Sequence, residues 1–188
     1  MNLIRLGLCI VLPMVVLAAD GSDIVINEIM YHPASGLASE EYVELYNRGA
    51  TAVDLGGWYF TDGIRFTFPP NTFLPPDSYL VVARDQARIQ EKYGITNVVG
   101  NYLGELSDKG ERLALSGANG DLVDEVTYSD SFPWPVAADE MGPSLECINP
   151  YLDNNAARNW GTAQGIVDWT RIDLEGTAPG SRIFFALK

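Results

Sequence analysis

The chain has little of what most site chemistry is built from. Its 188 residues include one histidine, two cysteines and 12 Lys+Arg against 25 Asp+Glu. A lone His32 leaves no His-Glu-x-x-His spacing for a zinc hydrolase. The formal net charge of −13 excludes a surface that tracks phosphates, because such binding rests on Lys and Arg displacing counterions. No Gly-x-Ser-x-Gly elbow occurs, and no Gly-rich loop is followed by Lys to cradle a phosphate. Internal repeats, low-complexity tracts and sustained heptads are also missing.

The one long apolar run is at the beginning. Residues 1–19 open with Arg5, continue as an apolar stretch from Leu6 to Leu17 and end in small residues before Asp20. That is the layout of a secretory signal peptide, cut after Ala18 or Ala19. The run is shorter than the ~20 apolar residues that span a bilayer, and Pro13 interrupts it, so no transmembrane span is expected in the mature chain. Cleavage removes Cys9 and leaves Cys147 alone, which excludes an internal disulfide and a cysteine-rich metal site. Alternation in Ser144-Leu145-Glu146-Cys147 puts the thiol on the face of Leu145, as a small buried hydrophobe. A secreted, periplasmic or cell-surface location follows.

The remainder is the right length for one domain, and a hydrophobic content of 47% is far too high for a disordered chain. It reads as short strands. Ile24, Ile26 and Ile29-Met30 give the first; Glu41 to Tyr46 alternates with period two; Trp58-Tyr59-Phe60 and Ile64 to Phe68 flank a Thr61-Asp62-Gly63 turn. Pro69-Pro70 ends that hairpin. Tyr79 to Ala83, Arg112 to Leu115, Leu122 to Tyr128 and Ser144 to Ile148 follow. One helix is predicted over Gln86–Tyr93, capped by Asp85 and stopped by Gly94. About seven short strands without βαβ alternation predict an all-β, immunoglobulin-like antiparallel sandwich with one short helix.

Several stretches carry a family resemblance. Val25-Ile26-Asn27-Glu28-Ile29-Met30-Tyr31-His32-Pro33, Tyr42-Val43-Glu44-Leu45-Tyr46-Asn47 and Gly56-Gly57-Trp58-Tyr59-Phe60 open the match. Phe66-Thr67-Phe68-Pro69-Pro70, Gly142-Pro143-Ser144-Leu145-Glu146, Asn159-Trp160 and Gly176-Thr177-Ala178-Pro179-Gly180 follow in order. Together they resemble the lamin tail domain, in its bacterial, exported branch. The resemblance implies a domain over residues 20–181, with 182–188 as a C-terminal extension. It departs from the family in the lengthened tail Ile166 to Glu175 and in Cys147, where a basic residue often stands. The nuclear roles of animal lamin tails do not carry over, since no coiled-coil rod precedes the domain.

Candidate site residues are few. His32, in the Met30-Tyr31-His32-Pro33 turn, is expected to cap or pack locally. The paired carboxylates Glu40-Glu41 with Glu44, and Asp139-Glu140, read as solvated acidic faces rather than as glycosidase carboxylates, and Asp121-Asp124-Glu125 as the outward side of a hairpin. Oxygen-rich loops could bind calcium through Asp130, Asp139, Glu140 and Asp153, although no EF-hand spacing is present. Phe132-Pro133-Trp134-Pro135 offers either an exposed aromatic that stacks on a sugar or peptide, or a lid in which Trp134 closes the end of the sandwich. No catalytic set emerges. The expectation is a non-catalytic extracellular module that binds protein or glycan, or serves adhesion or assembly at the cell surface. The alternative is an accessory domain of a larger secreted enzyme, either hydrolytic or kinase-like of the spore-coat-protein-H type, where the family's bacterial branch often occurs.

Overall fold

In the computed structural model, β1 (Ile24–Met30) is the spine of the molecule, and all seven of its residues are buried. The structure describes residues 23–139 and 142–163, so the expected signal segment, Glu140, Met141 and the tail from residue 164 lie outside it. The spacing Ile24, Ile26, Ile29 breaks a period of two by one residue, and Asn27 is that residue. The register runs Ile26 opposite Leu45, then Glu28 opposite Glu44. This bulge absorbs the extra residue and keeps Ile29 and Tyr31 in the core.

Around β1 lie β2 (Tyr42–Asn47), β3 (Val53–Asp54), β4 (Tyr59–Asp62), β5 (Phe73–Leu74) and β6 (Tyr79–Ala83). They are followed by α1 (Gln86–Tyr93), β7 (Val98–Gly100), β8 (Arg112–Ser116), β9 (Leu122–Thr127), β10 (Ser144–Cys147) and β11 (Trp160–Ala163). One sheet has the order β11-β10-β1-β2-β6-β7, the other β4-β8-β9, and β3 with β5 makes a short ribbon. Ile24, Ile26, Val43, Leu45, Val82 and Leu145 from the first sheet meet Phe60, Leu113, Leu115 and Val126 from the second in one core. Trp58 and Phe68 are in the same core, as expected of the Gly56-Gly57 bend, but Ile64 to Phe68 does not form the strand expected and makes only isolated bridges, Tyr59 with Thr67 and Arg65 with Leu103. The fold is an all-β immunoglobulin-like sandwich with one short helix.

Two details correct the sequence reading. The chain has more strands than seven among the described residues, because β3, β5, β7 and β11 have only two to four residues, too few for alternation to register. The sheet is also not wholly antiparallel: β6, α1 and β7 form a βαβ unit in which Val81, Val82 and Ala83 pair in parallel with Val98, Val99 and Gly100. The helix is as predicted. The Asp85 side chain accepts from Arg88 N at 3.0 Å, and Gly94 leaves the helix in the left-handed region at φ 68°. It buries Ile89 on the outer face of the large sheet, where Met30, Tyr42, Val81, Ala83 and Val98 form a second, small core.

Candidate functional site

At the end of β1 the chain turns out of the sheet, and three loops converge there. Tyr31, His32, Pro33, Gly36 and Ala38 come from the β1–β2 connection, with Glu41 at its close. Glu105, Leu106 and Asp108 come from the β7–β8 loop, and together these residues line a polar cavity of about 130 Å³. The loop after β9 supplies Asp139, whose Oδ1 lies 2.7 Å from His32 Nδ1. A carboxylate can only accept, so Nδ1 carries the proton and donates it. Asp108 Oδ1 stands 3.8 Å from the same nitrogen.

The walls of this cavity are built firmly. Glu41 Oε2 accepts from Leu106 N at 2.9 Å and from the Tyr102 hydroxyl at 3.1 Å, with Arg84 Nη1 at 3.9 Å. Burial pushes the Glu41 carboxyl above its ordinary range, opposed by those bonds. Arg84 ties Glu105 at 2.9 Å and the Gly104 carbonyl at 2.6 Å. Tyr31 is 1% exposed, packs at 5.0 Å between ring centroids on Tyr128, and its hydroxyl has no hydrogen-bond partner among the described residues. Burial, then the charges of Asp139, Asp130 and Asp108, drive the Tyr31 pKa upward.

The predicted site residues are distributed as follows. Trp134 is 8% exposed and stacks obliquely on Trp160 at 5.7 Å, the position of a lid on the core. Phe132 is the aromatic the loop presents, at 90% exposure. Of the calcium candidates, Asp130 faces Lys109 Nζ at 3.0 Å, Asp139 faces His32, and the Asp153 carboxylate accepts from Asn155 N at 2.9 Å. Glu140 lies outside the described residues. Among the described residues no three of His, Cys, Asp and Glu gather closely enough to hold a metal ion. His32 has its carboxylate, but among the described residues no hydroxyl or thiol bonds to it to complete a nucleophilic triad. Cys147 is buried in the core beside Leu145, as its alternation predicts.

The expectation of solvated acidic faces holds for Asp121, which is exposed, and is overturned for Glu40, Glu41, Glu44 and Asp124. Glu40, Glu41 and Glu44 are all buried. Glu40 sits under α1, where Arg88, Lys92 and the Ser35 hydroxyl all donate to it. Burial alone would raise its pKa, but those donors overcome that and hold it near 2. Glu44 belongs to a row with Glu28 and Glu146, neighbours across β2, β1 and β10 on the outer sheet face. Such a row of like charges needs donors. Tyr42 and Ser144 hydroxyls give hydrogen bonds to Glu28 at 2.6 and 2.5 Å, and Asn27 donates to Glu44 at 3.0 Å. Asp124 also turns inward, where its carboxylate accepts from Ile26 N in the β1 bulge at 2.6 Å and from Asn154 Nδ2 at 2.7 Å. Its position two residues before Val126 was the signal for this. A second, open groove of about 490 Å³ lies along Phe73, Pro75, Tyr79 and Leu80 at another edge.

A family model described as the Lamin Tail Domain matches residues 18–130, well over half of the chain. The chain belongs to the Lamin Tail Domain family. The match takes in β1 to β9 and, at the cavity, Tyr31, His32, Glu41, Glu105 and Asp108. In this lamin tail domain the fold continues past the matched stretch, since β10 and β11 extend the large sheet, Asp139 meets His32 and Trp134 packs on Trp160. Among solved structures it is similar to a DUF4876 family protein from Bacteroides thetaiotaomicron VPI-5482, with 12% identity and a TM-score of 0.49 over 76% of this chain and 69% of that one. No curated protein matches the sequence.

Proposed function

We propose that this lamin tail domain is a non-catalytic interaction module of the family's bacterial, exported branch. It would be released from residues 1–19 and would engage a protein or glycan at the cell surface, in adhesion or assembly. The observation that carries this reading is the three-loop end of the sandwich. There, the exposed apolar side chains Leu37 and Leu103 sit on the two loops that line the acidic cavity, and Phe132 and Val136, exposed too, on the loop that brings Asp139 to His32. A rigid scaffold that presents adjustable loops is a common arrangement for recognition, and apolar side chains around polar groups are the composition of a contact surface. No helix among the described residues is long and apolar enough to cross a membrane.

The test is a binding screen with the processed chain, against glycan arrays and against envelope proteins of its own source. A ligand of this end is retained by the parent protein and lost by Phe132→Ser/Val136→Ser, with the melting temperature unchanged. Turnover of a substrate by the purified chain, or binding indifferent to the double substitution, overturns the reading. The accessory-domain alternative shares the same surface and predicts that its ligand is the substrate, or a neighbouring domain, of a hydrolytic or kinase-like enzyme.

A further inference from the structure

We propose that the cavity beside His32 is a receptor for a lysine side chain of a partner polypeptide. This rests on the reading of the loop end as a contact surface and names its chemistry. Three observations meet at the site. Its carboxylates come from separate segments: Glu41 before β2, Glu105 and Asp108 in the β7–β8 loop, and Asp139 behind His32. Tyr31 is one of the residues that line the cavity, and its buried hydroxyl makes no hydrogen bond among the described residues. A buried hydroxyl of that kind costs free energy unless a partner arrives.

The third observation is the balance of charge. Arg84 answers Glu105 and stands near Glu41, while His32 answers Asp139. Asp108 is half exposed, and among the described residues its one ion-pair neighbour is His32, at 3.8 Å. A further cation is therefore favoured here. Direct metal coordination does not fit, since no three donors gather tightly enough among the described residues. An ammonium does: it is compact, and it offers three donors in different directions. The acceptor-bearing residues that line the cavity likewise come from separate segments, Tyr31 after β1, Glu41 before β2, and Glu105 and Asp108 in the β7–β8 loop. A guanidinium instead needs a flat, two-toothed carboxylate partner. Leu37 and Leu103, exposed on the two loops that line the cavity, offer apolar surface to the lysine's methylene stem.

The experiment titrates the full processed chain with a blocked pentapeptide, Ala-Ala-Lys-Ala-Ala, and with versions carrying arginine or Nε-acetyl-lysine; calcium chloride alone is a separate arm. The lysine peptide should saturate one site, and the acetylated peptide should bind at least tenfold more weakly. Tyr31→Phe and Asp108→Asn should each weaken it roughly tenfold, the usual loss for one hydrogen bond to a charged group. Asp121→Asn, on the β8–β9 turn, removes the same charge elsewhere and should leave affinity unchanged. Tyr31→Phe keeps the ring against Tyr128, and its melting temperature reports that the fold is intact. Equal binding of the acetylated peptide, indifference to Tyr31→Phe and Asp108→Asn together, tighter arginine binding, or saturation by calcium with none by lysine each overturns the proposal. If lysine fails while a surface ligand still depends on Phe132 and Val136, the ligand chemistry is wrong and the contact surface stands.

Discussion

Asp124 shows how much a single side chain can carry. Its carboxylate holds the Ile26 amide in the β1 bulge, joining the two sheets, and burial raises its pKa to about 6 against the ordinary 3.8. A folded-state pKa above the unfolded value means the native protein binds the extra proton first. Stability should therefore rise as pH falls from about 6 toward 4, by up to about 3 kcal/mol. Asp124→Asn should remove that rise, measured by urea unfolding at pH 4.5 and 7.5; an unchanged difference would refute the assignment. Gly110 is the other residue with no substitute. It lies at φ 100°, and a Cβ there would sit 2.3 Å from the Tyr128 carbonyl oxygen. Gly110→Ala should cost about 2–4 kcal/mol in the same assay, from strain plus displacement of backbone.

Among the elements, α1 is joined to the sandwich through few side chains. Ile89 alone of its residues is fully buried, in the small core with Met30, Tyr42, Val81 and Val98. Ile89→Ala should destabilise by about 2–4 kcal/mol. In hydrogen exchange the loss should fall on α1 and β7, which this helix connects in parallel, while β1 and β8 keep their protection. Uniform loss across both sheets would show that the unit is not separable. Trp134 lies in the loop after β9, and its indole packs in the core against Trp160. Trp134→Ala should cost about 3 kcal/mol and blunt the near-ultraviolet aromatic signal; a neutral result would return the ring to the surface.

For the whole molecule, charge and acidity set opposing slopes. Asp124 and Glu41 have raised pKa values and favour the fold as pH falls. Glu40, held near 2 under Arg88 and Lys92, contributes stability that is full above about 4.5 and is lost on further acidification. The melting temperature should therefore peak in mildly acidic buffer, near pH 4–5, rather than at neutrality. Glu40→Gln should flatten the acid limb. A maximum at or above pH 7 would contradict the combined assignment.

What could be read from the residues alone was whatever depends on local order. The period-two runs gave β1, β2, β6, β8, β9 and β10, and Asp85 with Gly94 bounded α1, because alternation and capping are short-range effects. The resemblance carried by the Val25–Pro33 and Tyr42–Asn47 runs gave the family. Tertiary structure decided the rest. A glutamate in an alternating strand faces water only if nothing covers that face, and coverage is set by distant chain: α1 over Glu40, and the strands beside Glu44. The parallel β7 and the bulge at Asn27 are likewise settled by which strand arrives alongside. His32 met Asp139 from 107 residues away, and Tyr31 was closed in beside them. Those contacts exist only after the loops converge, so no spacing in the sequence could announce the cavity.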